Sequence, residues 1–219
     1  MSTAIIGVGN IGRAVAGHLV AGGEPVVLAA TDPPQTLAME LGDLASAATV
    51  GDAIKAADVI VFAVWFDVIK SLIEQHRPAL AGKVVVDPSN PIAMNDKGDF
   101  SRTLPEGVSA GSVIAALLPE GAHFVKAFGT LSAGSLQNGS NREPARAVLF
   151  YATDDDGAAT TIERLIRTAG FTPLKAGGVA DAARIEVPGG DLHQFGGLNG
   201  ELVDLEHARA ALAARRVAA

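Results

Sequence analysis

Three glycines within six residues, Gly7-Val8-Gly9-Asn10-Ile11-Gly12, form the stretch whose residue types and spacing carry the clearest chemistry. They end the apolar run Ala4–Val8 and open the helical pattern Ile11–Ala21. Each has a physical reason to be glycine in such a turn. The first permits the tight bend, the second lets backbone approach a pyrophosphate, and the third lets helix and strand pack closely. The N–H groups at the helix start then face the phosphate charge. Gly7, Gly9, Asn10, Ile11 and Gly12 are therefore expected to bind a dinucleotide, NAD or NADP. A turn serving packing alone would not need all three glycines in register.

The next run, Val26–Ala30, should end near the adenosine ribose. Asp32 lies twenty residues beyond Gly12, the usual distance for an acid that accepts hydrogen bonds from the ribose hydroxyls of NAD. Thr31 beside it could hydrogen-bond a phosphate. No Arg or Lys occurs between Arg13 and Lys55, so no nearby cation awaits the 2′-phosphate of NADP. Taken alone, these residues favour NAD. The alternative is that Asp32 caps the helix that starts at Pro33-Pro34.

Other chemistries find no support. Cysteine is absent, which excludes disulfides and thiolate nucleophiles. No HExxH, paired metal-ligand spacing or Gly-Lys-Ser/Thr phosphate loop occurs, and no metal site is expected. Ser109, Ser112, Ser132 and Ser135 are scattered, and none sits in a GxSxG elbow. Of five histidines, His18, His76 and His207 have polar helical neighbours and are expected in solvent. His193, in a glycine-rich loop with Asp191 and Gln194, is the candidate for substrate contact; a structural loop histidine is the competing reading. Lys126, at a strand end, could point into the site, but a lysine at a sheet end is more often solvated, and solvent is the expectation. Hydride transfer between stacked rings depends on orientation and exclusion of water more than on an acid or base, so no catalytic residue is assigned.

Positioning these residues requires a frame, and the pattern supplies one. Apolar runs at Ala4–Val8, Val26–Ala30, Val59–Val64, Val84–Asp87, Phe124–Phe128, Val148–Ala152 and Thr172–Ala176 alternate with helical stretches, with a weaker run at Ala48–Val50. The helical stretches include Ile11–Ala21, Pro34–Leu41, Asp67–Gln75, Val113–Leu118 and Ala158–Ala169. Unbroken apolar strands are buried on both faces, which predicts an α/β fold: a doubly wound, mostly parallel sheet of the Rossmann type. After Ala176 glycine becomes frequent and Leu202–Ala214 reads as a terminal helix. We expect residues 1–176 to form the dinucleotide-binding domain and 177–219 a docked tail and helix. Apolar Leu192, Phe195, Leu198 and Leu202 suggest that this tail closes the site or makes a homodimer contact.

Composition narrows the partners. The chain is 48% hydrophobic with a net charge of -7, which argues against a nucleic-acid surface. The longest apolar stretch, Ala57–Phe66, is too short to span a bilayer, and no export signal is recognisable, so a cytoplasmic location is expected.

Four segments in order add a resemblance: Gly7 to Gly12, Ala63-Val64-Trp65, Asp87-Pro88-Ser89-Asn90-Pro91 and Lys126-Ala127-Phe128-Gly129-Thr130. From about Thr3 to Val187 the sequence resembles the coenzyme F-420:NADP oxidoreductases, relatives of the nucleotide domains of pyrroline-5-carboxylate reductase and of membrane metalloreductases. The resemblance implies NADP as cofactor, with hydride exchanged between it and a deazaflavin, coenzyme F-420. It implies that Ala63, Val64 and Trp65 wall the cofactor. Asn90 and Pro91 would border the nicotinamide, with Pro91 and Thr130 towards the substrate. This chain departs from the family at Val64, where proline is usual, and at Thr31-Asp32, where many members carry Ser-Arg or Arg-Arg. The stretch Gly190 to Gly197 has no counterpart in the deazaflavin enzymes. The leading expectation is an NAD(P)-dependent oxidoreductase passing hydride to a deazaflavin or flavin. Reduction of a small imine or carbonyl, and a sensor that binds NAD(P)H without turnover, are the alternatives.

Overall fold

The computed structural model describes residues 1–94 and 100–214. Strands β1 (Thr3–Ile6), β2 (Val26–Ala29), β3 (Ala45–Ala48), β4 (Val59–Phe62) and β5 (Val84–Asp87) come first. They are followed by β6 (Ile92–Met94), β7 (Phe100–Arg102), β8 (His123–Lys126), β9 (Val148–Ala152) and β10 (Thr172–Gly177). The helices are α1 (Asn10–Ala21), α2 (Gln35–Leu41), α3 (Val50–Ala56), α4 (Phe66–His76), α5 (Ala110–Leu117), α6 (Ala133–Asn138), α7 (Asp156–Thr168) and α8 (Leu205–Ala214). Short 3-10 helices lie at Arg77–Leu80 and Val179–Ile185.

Eight strands form one sheet in the order β10-β9-β8-β5-β4-β1-β2-β3. All neighbours are parallel except β8 and β9, which meet antiparallel through Lys126 and Ala152. The chain winds from β1 to β3 in one direction, then crosses to β4 and winds the other way. The fold is thus the expected doubly wound, mostly parallel α/β sheet. The gap between β1 and β4 is its switch point, where such sheets bind ligands beyond the strand C-termini.

Strand residues alternate between two cores, as a period of two requires. Ile5, Val59, Val61, Val86 and Val125 meet α1, α2, α6 and α7 on one face. Ala4, Ile6, Ile60, Phe62, Val85 and Phe124 meet α3, α4 and α5 on the other. Both faces of the central strands are therefore dry, which explains their unbroken apolar character. No helix among the described residues is long and apolar enough to cross a membrane.

Several details differ from the sequence reading. The weak run at Ala48–Val50 belongs partly to β3, Ala45–Ala48, and partly to α3, whose start is capped by Thr49 accepting from the Asp52 N–H at 3.2 Å. The four scattered serines work in pairs at helix starts. Ser109 caps α5 by accepting from the Ser112 N–H (2.9 Å), and Ser132 caps α6 by accepting from that of Ser135 (3.0 Å). His18 is half-buried, its Nε2 2.8 Å from the Leu136 carbonyl and its ring edge-on to Phe171. The β6–β7 hairpin was not anticipated. Beyond β10, the tail packs Ile185, Leu192, Leu198 and Ala208 against Val148, Phe150 and Ala176 of the reversed strands.

Candidate functional site

The glycine turn joins β1 to α1 beside the switch point. Gly7 adopts φ +96°, closed to most side chains, and its N–H donates to the Ala29 carbonyl at 2.7 Å. A Cβ on Gly7 would lie 2.4 Å from the Ala63 carbonyl oxygen, and one on Gly12 would lie 1.9 Å from that of Gly7. These two glycines are enforced by the protein's own backbone. Gly9 is different: a Cβ there would meet nothing within 4 Å. Gly9 and Asn10 are exposed, Ile11 is half-buried, and α1 starts with no side-chain cap. The first-turn N–H groups thus face an open cradle that a side chain at Gly9 would fill. The turn fits a pyrophosphate.

Thr31 and Asp32 are exposed just past the end of β2. Pro34 is the N-cap of α2, and no side chain caps it, so Asp32 is not held as a helix cap. Arg13, on α1, pairs with Glu40 of α2 at 3.6 Å, both well exposed. Past β4, Ala63 and Val64 are half-buried beneath the glycine turn, with the Val64 Cγ1 2.5 Å from a Cβ built on Gly7. Trp65 follows at 51% exposure and forms the N-cap of α4, so its ring is not in the core.

The ends of β5 and β8 are built in another way. Lys126 is 1% exposed, against expectation, and its Nζ donates to Asp87 Oδ2 (2.8 Å) and to the Ser89 carbonyl (2.5 Å). It also lies 3.1 Å from Glu186 Oε1, in the tail. The Glu186 carboxylate accepts from the backbone N–H groups of Ala110 (2.9 Å) and Gly111 (2.8 Å) at the start of α5. Burial works to lower the ammonium's pKa, but Asp87 and Glu186 outweigh it and hold the group above the usual lysine value. A lysine that solvent would have claimed is thus retained by two carboxylates from distant parts of the chain.

Around this charge cluster the loops interlock. Phe128 takes φ 64°, sparse for an aromatic residue, and is fully buried. Gly129 packs directly on Pro88; a Cβ there would lie 2.3 Å from the Pro88 carbonyl oxygen. Asn90 is half-buried and spans three segments: Nδ2 donates to the Gly129 carbonyl (3.2 Å) and Oδ1 accepts from the Val187 N–H (2.9 Å). Pro91 is buried. Thr130 is 1% exposed and Ser89 8%, and neither hydroxyl has a partner among the described residues. Buried hydroxyls without partners are rare, and these two sit on adjoining loops at the sheet's ligand edge.

His193 is 3% exposed, with both ring nitrogens occupied. Nδ1 accepts from the Phe195 N–H at 3.0 Å, so the proton resides on Nε2, which donates to the Gly129 carbonyl at 3.0 Å. Burial lowers its pKa to about 4, the Gly129 carbonyl opposes that shift, and nearby Lys126 adds to it. Gln194 completes the seam. Its Oε1 accepts from Ser132 N–H (2.8 Å), and its Nε2 donates to Ser135 Oγ (2.8 Å) and the Gly200 carbonyl (2.9 Å).

The structure therefore gathers the expected residues into two groups along one edge of the sheet. Gly7 to Gly12, Thr31, Asp32, Ala63, Val64 and Trp65 surround the switch point. Asn90, Pro91, Thr130 and His193 lie at the β5–β8 end. Sequence reasoning missed the Lys126–Asp87–Glu186 cluster and the Ser89 hydroxyl. Asp87, Ser89 and Lys126 stood in the family-like segments, whereas nothing local marked Glu186.

Residues 2–91 match the model of a family described as NADP oxidoreductase coenzyme F420-dependent. The metalloreductase STEAP3 of Rattus norvegicus is 34% identical over 182 residues, 83% of this chain but 35% of the rat protein. The chain thus spans only about a third of that relative. Among solved structures, SMa0349 of Sinorhizobium meliloti superposes with a TM-score of 0.76 at 29% identity, covering 85% of this chain and 90% of that one. A protein of Arthrobacter sp. FB24, provisionally assigned as an F420-dependent NADP reductase, gives 0.70 at 23% identity over 82% and 86% of the two chains. An imine reductase of Bacillus cereus BAG3X2 gives 0.60 at 19% identity over 83% and 56%. The last two likenesses show a shared fold.

Proposed function

Because residues 2–91 carry the domain of the F420-dependent NADP oxidoreductases, we propose that this protein is an oxidoreductase that moves a hydride between a nicotinamide dinucleotide and a planar acceptor, a deazaflavin or flavin. The observation that carries this reading is the asymmetry of the three glycines: Gly7 and Gly12 are filled by backbone, while Gly9 faces open space at the start of α1. The protein's own packing requires glycine at positions 7 and 12 and not at position 9.

The nucleotide, when bound, supplies or receives the hydride. The chain's own part is to bind and orient. The α1 N–H groups hold the pyrophosphate, Asp32 accepts from the adenosine ribose, and Val64 with Trp65 walls the nicotinamide half. Asn90 keeps the loops after β5 and β8 together, and Thr130 stands at the acceptor side. His193 acts behind this layer, fixing Gly129 rather than exchanging protons. Asp32 supports acceptance of NAD beside the family's NADP.

Reduction of a small imine or carbonyl would need a proton donor at the same place. Among the described residues, Asp87, Lys126, Glu186 and His193 are the titratable groups that the contacts above place at the β5–β8 end, and all four are buried and hydrogen-bonded. This favours ring-to-ring transfer. The test is calorimetry with NADPH and NADH, followed by turnover with F-420, FMN and FAD as acceptors. Tight nucleotide binding with turnover of at least one ring acceptor is expected. Binding without turnover of any acceptor would leave a sensor, and absence of binding would end the reading altogether.

A further inference from the structure

The ten aromatic side chains divide sharply by place. Seven are at most 7% exposed and belong to the packed interior. The other three, Trp65, Phe100 and Phe195, are 51%, 61% and 66% exposed. All three stand on segments associated with the C-terminal edge of the central strands. Trp65 follows β4, and Phe100 lies in the hairpin that follows β5. Phe195 sits on a tail loop bonded to the segment after β8 through His193 to Gly129, Gln194 N–H to the Thr130 carbonyl and Ser132 N–H to Gln194.

Looseness does not explain the exposure of Phe195. Its predecessors Leu192, His193 and Gln194 are 0%, 3% and 4% exposed. Its own N–H donates to His193 Nδ1, while Gly196 and Gly200 close the loop onto the His193 and Gln194 carbonyls at 2.9 and 2.7 Å. A loop this heavily bonded holds the phenyl ring out, forgoing the burial a large apolar side chain would gain. Rigidly displayed aromatic rings are characteristic of preorganised binding surfaces. The adjoining loops also hold the buried hydroxyls of Ser89 and Thr130, which have no partner among the described residues.

We propose that Phe195 is the stacking residue for the hydride acceptor, offering one ring face to a planar fused-ring system. This deepens the function proposed above and rests on it. The ring makes Phe195 a specificity residue: it rewards a broad aromatic surface and gives nothing comparable to a small imine or carbonyl compound.

The test uses the full chain saturated with NADP, so that no reduction occurs. It is titrated with FMN and, separately, with F-420, following quenching of the acceptor's own fluorescence. Phe195→Ala should weaken acceptor binding by about tenfold or more, on the scale of a lost stacking contact. Phe195→Trp should restore it, and NADP affinity by calorimetry should be the same in all three proteins. Equal acceptor affinity in Phe195→Ala overturns the inference, as does NADP binding with no binding of either ring acceptor. If Phe195→Ala also turns a dimer into a monomer in analytical ultracentrifugation, the ring is an interface residue and the inference falls. Failure of NADP itself to bind would remove the proposed function, and this inference with it.

Discussion

The two halves of the candidate site use opposite means. At the switch point the protein presents backbone and empty space: an open Gly9, an uncapped helix start, and Thr31 and Asp32 in solvent. At the β5–β8 end it presents buried side chains whose polar atoms are bonded, with two hydroxyls excepted. On the function proposed above, the first half takes a ligand whose charge satisfies its N–H groups. The second half is already satisfied, so it is suited to holding a shape. A pyrophosphate can be gripped by fixed N–H dipoles, whereas two rings must be held at a set distance and angle.

Breaking the second half should therefore cost stability, and breaking the first should cost affinity. The largest effect is expected for Lys126→Met, which leaves Asp87 and Glu186 buried without their cation. Such a loss costs about 3–5 kcal/mol, read by chemical denaturation. Adenosine diphosphate ribose, which reaches only the first half, should bind the folded fraction normally. Should stability survive intact, the cluster is not what holds the loops.

Acid should act on the same half through His193. Its folded pKa, about 4, lies below the ordinary value of 6.5, so the folded state binds its proton less readily than the unfolded chain does. The contribution is fully present above pH 6.5, declines as pH falls towards 4, and is exhausted below that. The whole difference amounts to about 3 kcal/mol. Comparing melting curves of the wild type and His193→Gln between pH 7 and pH 4 isolates it: the gap should narrow with acid. A constant gap would show that His193 is not buried as the neutral form.

For the first half, Gly9→Val should weaken NADPH by roughly 100-fold or more, about 2.7 kcal/mol, with only a small fall in melting temperature. A Cβ at Gly9 meets nothing within 4 Å, while valine is a poorer N-cap than glycine. Gly12→Ala should instead damage the fold, since its Cβ would meet the Gly7 carbonyl oxygen. If both variants behave alike, the asymmetry of the turn has no meaning. The smallest effect concerns Asp32→Arg, which should move the NADPH to NADH ratio of dissociation constants about tenfold towards NADPH, ~1.4 kcal/mol. An unmoved ratio at low salt would place Asp32 away from the ribose.

The same contrast decides what could be read from the sequence. The glycine turn is contiguous, and Asp32 lies a fixed distance along the chain, so local rules reach both. The parallel core was readable because its strands are apolar on both faces. Lys126 was not, because its burial depends on Asp87, 39 residues away, and on Glu186 in the tail. His18 failed for the same reason, its partner Leu136 lying 118 residues on. The reversal of β9 left no trace, since an apolar run does not state its direction. The start of α3 did have a local sign, Thr49 three residues before Asp52, which the short alanine-rich run beside it obscured.

The end of β10 sets a problem of distance. β10 ends at Gly177 beside Ala152, which itself pairs with Lys126, so the chain leaves β10 level with the lysine but two strands away from it. Glu186 must nonetheless arrive at Lys126. The 3-10 helix Val179–Ile185 bridges the difference by passing sideways from the β10 edge towards β8 and α5. Its 7 residues, at ~2 Å each, reach about 14 Å, enough to clear two strand spacings of ~4.8 Å. The segment is thus a ruler as well as a connector. Removing or adding one residue between Gly178 and Ile185 would displace Glu186 by about 2 Å and rotate it by a third of a turn, out of reach of the lysine. This stretch should tolerate changes of residue type far better than changes of length.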